Sequence, residues 1–244
     1  TPSNSSAASD VYKRQIIIFM IYTDFFKLIK RRIVFSIARK HSKNMAQLFF
    51  EYGAMSSGKS IEILKVAHNY ESQGRKVLLM TPIMDTRAGV GVVASRIGLS
   101  REAVAVQPED DLYHLIKGMK DDHLAVVLID EAQFLAAKQV DQLAYVVDHL
   151  NIPVMTFGLK QDAFNHLFEG SKRLIELADK LEEMKTICSF CGKKATTQLR
   201  IVDGKPQREG AQVFIGGDEA YIPTCRHHWF KPDLDKITEM FPVK

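Results

Sequence analysis

The segment Gly53–Ser60, with the sequence GAMSSGKS, constrains the fold of this chain more than any other stretch. It matches the phosphate-binding pattern G-x-x-x-x-G-K-[ST] at every fixed position. Residues 48–52 before it read as an apolar strand, and residues 59–72 after it read as a helix. Glycines let successive backbone N–H groups face an anion, which the positive end of the helix also attracts. A ligand-free turn is the alternative, but the strand–loop–helix frame favours a nucleoside triphosphate site.

Strands and helices alternate after this loop, which predicts an α/β fold: a P-loop NTPase (RecA-like) parallel sheet flanked by helices. Residues 85–101 contain three glycines and little apolar periodicity, so we expect a long functional loop there. The expected strands are Leu48–Tyr52, Lys76–Thr81, Ala125–Ile129 and Pro153–Leu159, and the expected helices are 59–72, 112–117, 138–150 and 171–184.

Several charged residues are placed to act on a bound triphosphate. Lys59 is expected to reach the β- and γ-phosphates, and the Ser60 hydroxyl to ligate Mg²⁺. Asp130 and Glu131 follow a buried strand, and ligands bind where parallel strands end. Asp130 then suits the metal, and Glu131 suits a general base that acts on a hydroxyl; a solvated acidic pair is the alternative. Arg87 reads equally well as a phosphate contact or as a surface arginine.

The three cysteines form a second pattern with one histidine. Cys188-x-x-Cys191 and Cys225-x-x-His228 are paired ligands with spacing suited to tetrahedral zinc. Four protein ligands leave no position for water, so the site is predicted to be structural. A disulfide would leave one odd cysteine, and His227 is the adjacent rival for the fourth ligand. The long gap between the two pairs is expected to hold a hairpin.

Charge is unevenly spread along the chain. Residues 1–44 carry nine Lys or Arg and two Asp, so residues 45–244 have a net charge of −3 although the whole chain is +4. That balance argues against a nucleic-acid track on the main body. Ile16–Tyr22 is too short to span a bilayer, while 25–40 read as a basic amphipathic helix suited to a membrane surface or a transit signal. We expect instead that this extension is disordered or non-native upstream sequence, with Met45 as the start.

In combination, the motifs resemble those of one family, the type II thymidine kinases of bacteria and the animal cytosol. The resemblance runs from Met45 to about Phe230 and implies ATP-dependent phosphorylation of the 5′-hydroxyl of thymidine or deoxyuridine in pyrimidine salvage. It also implies Mg²⁺ with ATP, a structural Zn²⁺, a cytoplasmic homotetramer, and neither nucleic acid nor membrane as partner. The motifs are Gly53–Ser60, Met84–Arg87, Asp130–Phe134, Phe157–Leu159, Phe168–Ser171, the Cys/His set and Ile215–Tyr221.

The resemblance assigns roles to residues by position, with Glu131 as the catalytic base. The ATP and Mg²⁺ positions are Gly53, Ala54, Met55, Ser56, Ser57, Gly58, Lys59, Ser60, Asp85, Thr86, Arg87, Asp130 and Gln133. The nucleoside positions are Met55, Phe134, Leu159, Ala163, Phe164, Tyr221 and a lasso loop of Gln212, Val213, Phe214, Ile215 and Gly216. The metal positions are Cys188, Cys191, Cys225 and His228. We expect a kinase domain over 45–184 and a zinc-binding subdomain with the lasso over 185–244.

One motif departs from the family pattern. The family has Gly-Leu-x-x-Asp-Phe, whose aromatic ring stacks on the base, whereas this chain has Asp162-Ala163-Phe164 after Gly158-Leu-Lys-Gln. Ala163 therefore stands at the position of the ring. Either the loop shifts so that Phe164 stacks, or the pocket is looser. We predict that Phe164 substitutes.

Two other function classes share part of these motifs. Asp130-Glu131-Ala-Gln also resembles the second motif of DExx helicases, but about 140 residues cannot supply the two RecA-like domains that a helicase core needs. A zinc-ribbon binding module with a vestigial P-loop is disfavoured, because the lysine, the serine and both carboxylates are all present.

Overall fold

A computed structural model describes residues 45–212 and 220–241. These residues belong to one compact unit, Ala46–Lys244, apart from Met45. The predicted extension 1–44 and the lasso residues 213–216 lie outside the described residues. The division at 184/185 therefore stays a prediction.

The described residues contain eleven strands and six helices. The strands are β1 Leu48–Tyr52, β2 Lys76–Pro82, β3 Val92–Ala94, β4 Ser100–Glu102, β5 Val104–Val106, β6 Leu124–Ile129, β7 Val154–Gly158, β8 Lys180–Glu183, β9 Thr197–Val202, β10 Lys205–Gln207 and β11 Ala220–Thr224. The helices are α1 Lys59–Glu71, α2 Leu112–Met119, α3 Ala137–Tyr145, α4 Glu169–Leu177, α5 Arg226–Phe230 and α6 Leu234–Met240. Each of these helices is too short or too polar to cross a lipid bilayer.

Six strands form one sheet in the order β5-β2-β6-β7-β1-β8, and every neighbouring pair is parallel. This confirms the α/β fold that the sequence predicts. In the register, Tyr52 lies opposite Gly158 on one side and Glu183 on the other. Because parallel strands all end at the same edge, the loops after β1, β6 and β7 meet there.

The sheet is covered on both faces, as the apolar runs of its strands require. Alternate side chains of β6 show the two layers. Val127 and Ile129 pack in the cluster that includes residues of α2, α3 and α4, whereas Val126 and Leu128 pack with α1 and with Val93 of β3. The buried core thus holds the carboxyl end of β6 rigidly in the middle of the sheet.

The predicted helix over 171–184 is wrong in its second half. Helix α4 ends at Leu177, and Lys180–Glu183 form β8, which pairs in parallel with β1. The Asp179 carboxylate accepts the Leu48 N–H at 2.7 Å just before the strand begins. This strand is exposed and charged, as solvent-facing sheet edges commonly are, so it lacks the apolar alternation that would reveal it.

Two other segments differ from expectation. The stretch 85–101, expected to be a loop, contains β3 and the start of β4, and these two strands form an antiparallel hairpin. The short strand β5, which the sequence did not reveal, follows this hairpin and forms one edge of the six-stranded sheet. Strands of three residues are too short to display a period. The helix expected over 138–150 ends as a wider π-type turn over Val146–Leu150, where Asn151 adopts a left-handed φ of 52°.

The last part of the chain forms a small antiparallel sheet in the order β10-β9-β11. It confirms that strands are inserted between the two pairs of metal-ligand residues. The hydrophobic cluster that covers this sheet includes the buried side chains Phe190, Leu199, Ile201, Ile222 and, from α6, Ile237. These residues pack directly against two of the cysteines, so core and cysteine cluster support one another.

Candidate active site

The phosphate loop lies between the end of β1 and the start of α1. A Cβ on Gly53 would stand 2.4 Å from Ser57 Oγ and 2.6 Å from the Met184 carbonyl oxygen, so only glycine fits there. Gly58 has a φ of 87°, a left-handed conformation that side chains disfavour. Its carbonyl accepts the N–H groups of Ile61 and Glu62 at 3.0 Å, which starts the helix. The two fixed glycines therefore have distinct structural causes.

Lys59 is folded back over this loop. Its side chain is buried, with the residue 7% exposed, and Nζ donates to the carbonyl oxygen of Ala54 at 2.9 Å. Longer contacts join Nζ to the Gly53 carbonyl oxygen at 3.4 Å and to Ser57 Oγ at 3.3 Å. Burial lowers the pKa of Lys59, and the carboxylates of Glu131 and Asp130 partly oppose this shift. The ammonium group thus lies inside the loop and near the acidic pair.

Asp130 and Glu131 directly follow the central strand β6, and both are buried, at 3% and 6% exposed. The Glu131 N–H donates to Asp130 Oδ1 at 3.0 Å, and Glu131 adopts a left-handed φ of 49°. That conformation costs a non-glycine residue on the order of 1 kcal/mol, and it separates the directions of the two side chains. Burial raises the pKa of Asp130 to about 7, with the neighbouring Glu131 charge as the second cause.

The Glu131 carboxylate is held at both of its oxygens. Oε1 accepts a hydrogen bond from Arg87 Nη2, and Oε2 accepts one from Gln133 Nε2. Arg87 also pairs with Asp85, through Nε to Oδ1 at 2.7 Å and Nη2 to Oδ2 at 3.2 Å. Burial disfavours the charged guanidinium, but the Glu131 and Asp85 carboxylates outweigh it and raise the pKa of Arg87 above its usual range. Arg87 is therefore a bridge between two carboxylates rather than an isolated surface arginine.

Gln133 connects Glu131 to the end of β7. Its Oε1 accepts the backbone N–H of Leu159 at 2.9 Å, so both halves of the buried amide are satisfied. A Cβ on Gly158 would lie 2.6 Å from that same Oε1, which explains a glycine at this position. The carbonyl of Leu159 accepts Ser171 Oγ at 2.5 Å. Leu159 is thus fixed on both sides of its peptide unit.

Of these groups, Lys59, Arg87, Glu131 and Leu159 open onto one cleft of about 230 Å³. Its lining includes two residues that sequence reasoning missed, Ser95 and Arg96, which come from the turn between β3 and β4. Arg96 Nη1 donates to Ser56 Oγ at 2.7 Å. The position of Arg96 in the glycine-rich segment 85–101 is the one sequence signal that could have indicated its place in the site. The other lining residues are Met55, Ser56, Ser57, Gly58, Lys59, Ser60, Ile61, Arg87, Glu131 and Leu159.

Two of the predicted nucleoside positions, Met55 and Leu159, line this cleft. Phe134 contacts Phe168 edge to face, with ring centroids 5.7 Å apart. Ala163 is buried, and its carbonyl accepts Trp229 Nε1 at 2.8 Å. Phe164 approaches the segment before the lasso: a Cβ on Gly210 would lie 3.8 Å from Phe164 Cζ.

Three further predicted positions can be placed in the structure. Gln212 is the last described residue before the gap, and Tyr221 lies on β11 opposite Arg200 of β9. Thr86 lies between Asp85 and Arg87 in the sequence and is exposed to solvent.

The predicted metal ligands come together at the base of the small sheet. The Cys188, Cys191 and Cys225 sulfurs and a His228 ring nitrogen all lie within 4.8 Å of one another. His228 Nδ1 is 3.6 Å from Cys188 Sγ and 3.4 Å from Cys225 Sγ, and the sulfurs of Cys191 and Cys225 are 3.9 Å apart. Tetrahedral zinc with bonds of about 2.3 Å to sulfur and about 2.0 Å to nitrogen requires separations of roughly 3.5–3.8 Å. The donor set and spacing fit zinc, and His227 lies outside the group.

A local turn and a short helix place these ligands. The Cys188 N–H donates to the Lys193 carbonyl oxygen at 2.6 Å, and the Gly192 N–H returns to the Cys188 carbonyl oxygen at 3.1 Å. Gly192 has a φ of 67°, which lets the turn close. Cys225 is the residue before α5, so Cys225 and His228 lie one helical turn apart. All three cysteines are free thiols, and no disulfide joins them.

The fold and the cleft define an α/β protein of the P-loop nucleotide-binding class, with a Cys₃His cluster in its last part. The sequence model of the family described as thymidine kinase matches residues 46–229. A thymidine kinase of Lactobacillus acidophilus is 62% identical over 197 residues, covering 78% of this chain and 99% of that protein. One from Lactococcus lactis is 62% identical over 190 residues, and one from Streptococcus pyogenes 57% over 190, each covering 78% of this chain and 100% of the relative. This chain belongs to the thymidine kinase family, and it is a kinase.

Among solved structures, the Pif1 helicase of Candida albicans matches at 14% identity with a TM-score of 0.37, over 62% of this chain and 38% of that one. That likeness is too low to support a statement about fold or function.

Proposed function

We propose that this kinase transfers the γ-phosphate of ATP to the 5′-hydroxyl of thymidine, and also of deoxyuridine, as a step of pyrimidine salvage. The observation that carries the proposal is the position of Glu131. Its buried carboxylate opens onto the same cleft as Lys59 and is fixed by Arg87 and Gln133. A general base held beside a phosphate-binding loop supports transfer of a phosphoryl group to a hydroxyl, because that hydroxyl must lose its proton.

The chemistry then follows from this arrangement. The 5′-oxygen attacks the γ-phosphorus, the bond from that phosphorus to the β,γ-bridging oxygen breaks, and ADP leaves. Glu131 takes the proton of the hydroxyl. Lys59 and Arg87 offset the negative charge that develops on the transferring group. The backbone N–H groups of Gly53–Ser60 hold the phosphates.

Mg²⁺ would be held by Ser60 and Asp130, and Asp85, Thr86 and Gln133 are further proposed positions for ATP or Mg²⁺. The donor chemistry fits: Asp130 is a buried acid whose pKa is raised to about 7, and a divalent cation would favour its charged form. When bound with ATP, the ion supplies positive charge at the phosphate oxygens.

The nucleoside would bind between the phosphate loop and the lasso. Met55 and Leu159 line the cleft, and Phe134, Ala163, Phe164 and Tyr221 would complete the nucleoside site. An apolar niche of this kind suits a pyrimidine with a 5-methyl group, and backbone groups of the lasso Gln212–Gly216 suit its polar edge. Zinc at the Cys₃His cluster would hold the base of that lasso and take no part in the chemistry.

The same proposal covers the setting of the enzyme. We propose a cytoplasmic homotetramer whose substrates are ATP and thymidine, with neither nucleic acid nor membrane as partner. The net charge of −3 over residues 45–244 supports the absence of a phosphate-backbone track. Residues 45–184 would form the kinase domain and 185–244 the zinc-binding subdomain.

One assay tests the activity against its main rival. Purified protein is incubated with Mg²⁺, ATP and thymidine, and dTMP and ADP are quantified for the wild type and for Glu131→Gln. Equal amounts of dTMP and ADP from the wild type, with dTMP reduced at least about 100-fold in the variant, support the proposal. ATP hydrolysis that appears only when DNA is added, without dTMP, would overturn it.

A further inference from the structure

Asp162 organises the loop that carries Ala163 and Phe164. Its carboxylate is 2% exposed, and Oδ1 accepts the backbone N–H groups of Phe164 at 2.8 Å and His166 at 2.9 Å. The Asp162 N–H in turn donates to the His166 carbonyl oxygen at 2.9 Å. Asn165 completes the turn in a left-handed conformation with a φ of 68°. One buried side chain thus fixes the backbone on both sides of the Phe164 ring.

The second oxygen of the same carboxylate reaches a distant segment. Asp162 Oδ2 accepts Nε2 of Gln212 at 3.0 Å, across 50 residues of sequence. A carboxylate offers only acceptors, so the Gln212 amide must present its nitrogen. Gln212 is the first residue of the predicted lasso Gln212–Gly216. The contact therefore joins the root of the lasso to the loop that holds Phe164.

The other side of this loop is held by α5, the helix that carries the predicted metal ligand His228. Trp229 Nε1 donates to the Ala163 carbonyl oxygen at 2.8 Å, and Trp229 follows the ligand residue His228 directly in α5. The guanidinium of Arg208 lies 4.2 Å from the centre of the Trp229 ring. The loop is consequently fixed at Asp162 by the lasso root and at Ala163 by the metal-bearing helix.

We propose that Asp162 is a positioning residue that holds the loop carrying Phe164 against Gln212, and thereby sets the affinity for the nucleoside. The inference rests on the proposed thymidine phosphorylation. Asp162 acts through Phe164 and Gln212, and it lies outside the cleft that holds Lys59 and Glu131. Loosening it should raise the KM for thymidine while the KM for ATP stays unchanged.

The hydrogen-bond polarity of the pair gives a sharp test. Gln212→Glu places two carboxylates about 3 Å apart, which repel. Asp162→Asn alone keeps an acceptor for Phe164 and His166, and the Gln212 amide can turn to accept from it. In the double variant, the Asn amide donates to the new Glu, so the contact is restored with its polarity reversed.

The experiment measures kcat and both KM values for the wild type, the two single variants and the double variant. We expect Gln212→Glu to raise the thymidine KM about tenfold or more, Asp162→Asn to raise it less, and the double variant to recover most of the loss caused by Gln212→Glu. The ATP KM should change less than about twofold throughout. Gln73→Glu, the same charge change in an exposed turn, is the matched control and should leave both values unchanged.

An unchanged thymidine KM in Gln212→Glu, or a double variant no better than Gln212→Glu, would overturn the proposal. Backbone hydrogen exchange distinguishes a failure of the positioning role of Asp162 from a failure of the proposed thymidine phosphorylation. If the wild type forms no dTMP, thymidine phosphorylation fails, and exchange then decides the role of Asp162. Gln212→Glu should speed exchange at Phe164 and His166, and the double variant should slow it again. Equal exchange in all four proteins would refute the positioning role.

Discussion

Glu131 and Arg87 are 44 residues apart in the chain, yet they form an ion pair at the edge of the sheet where β2 and β6 end. Arg87 simultaneously binds Asp85, so one guanidinium is shared between a carboxylate in its own loop and the proposed catalytic base. The proposed base is thereby held to the loop that carries Arg87, the proposed phosphate contact. This relationship makes the orientation of Glu131 sensitive to the geometry of Arg87.

Arg87→Lys should lower kcat about 10–100-fold, because a single ammonium cannot reproduce the forked contacts to Glu131 and Asp85. Steady-state kinetics with thymidine and ATP would measure it. The exposed Arg75→Lys is the control and should match the wild type. A kcat unchanged in Arg87→Lys would contradict a role for the fork in catalysis.

Gln133→Leu should lower both stability and activity. It leaves the partly buried N–H of Leu159 without its acceptor, which costs about 1 kcal/mol in the free energy of unfolding. It also removes one of the two groups that orient Glu131, so kcat should fall even where the variant is fully folded. Chemical denaturation and kinetics at a permissive temperature would test the two effects separately. A stable but fully active variant would show that Gln133 is a spacer only.

Glu51 should make stability depend on pH. Burial, together with the charges of Glu62 and Glu182, raises the pKa of Glu51 from 4.5 to about 7. Between these values the folded chain holds a proton that the unfolded chain has released, so the free energy of unfolding falls as pH rises. Glu51→Gln should therefore stabilise the protein by about 1 kcal/mol at pH 8, discounted for partial exposure, and by less at pH 5.

Denaturant titrations of the wild type and Glu51→Gln at several pH values would measure this difference. Glu102→Gln, on an exposed position of β4, is the control and should show no gain that grows with pH. An equal gain for Glu51→Gln at pH 5 and pH 8 would rule out titration of Glu51 as the cause.

Metal content should distinguish two adjacent histidines. His228→Ala removes a donor that lies 3.4 Å from Cys225 Sγ, so the purified protein should lose most of its zinc. His227→Ala alters a residue outside the cluster and should retain about one zinc per chain. Elemental analysis of both variants, with thermal melting in the presence of a chelator, would check this. Full zinc in His228→Ala would identify a different fourth ligand.

Phe164→Ala should raise the KM for thymidine about tenfold, since stacking on a base contributes on the order of 1–3 kcal/mol. The residue approaches Gly210, just before the proposed lasso. The exposed Phe230→Ala controls for loss of an aromatic ring in the same part of the chain. A thymidine KM unchanged in Phe164→Ala would mean that Phe164 does not replace the ring absent at Ala163.

The sequence predicts what depends on short spacing. The phosphate loop, the Asp130-Glu131 pair after a buried strand and the Cys188/Cys191 pair each need only a few neighbouring residues to be recognised. Strand β8 escaped prediction because an exposed parallel edge of sequence KLEE has no apolar period. The contacts of Arg96 with Ser56 and of Gln212 with Asp162 escaped as well, because side chains 40 and 50 residues apart meet only once the tertiary fold exists.

Strand β1 has no partner close to it in the chain. Its two hydrogen-bonded neighbours are β7 and β8, more than 100 residues further on. Closing such long loops costs entropy before any pairing rewards it. During synthesis, a nascent chain would therefore carry the loop Gly53–Ser60 without the strands that flank β1 until residues near 183 have left the ribosome. The phosphate loop that follows β1 is therefore translated before β7 and β8, the two strands that hold β1 in the sheet.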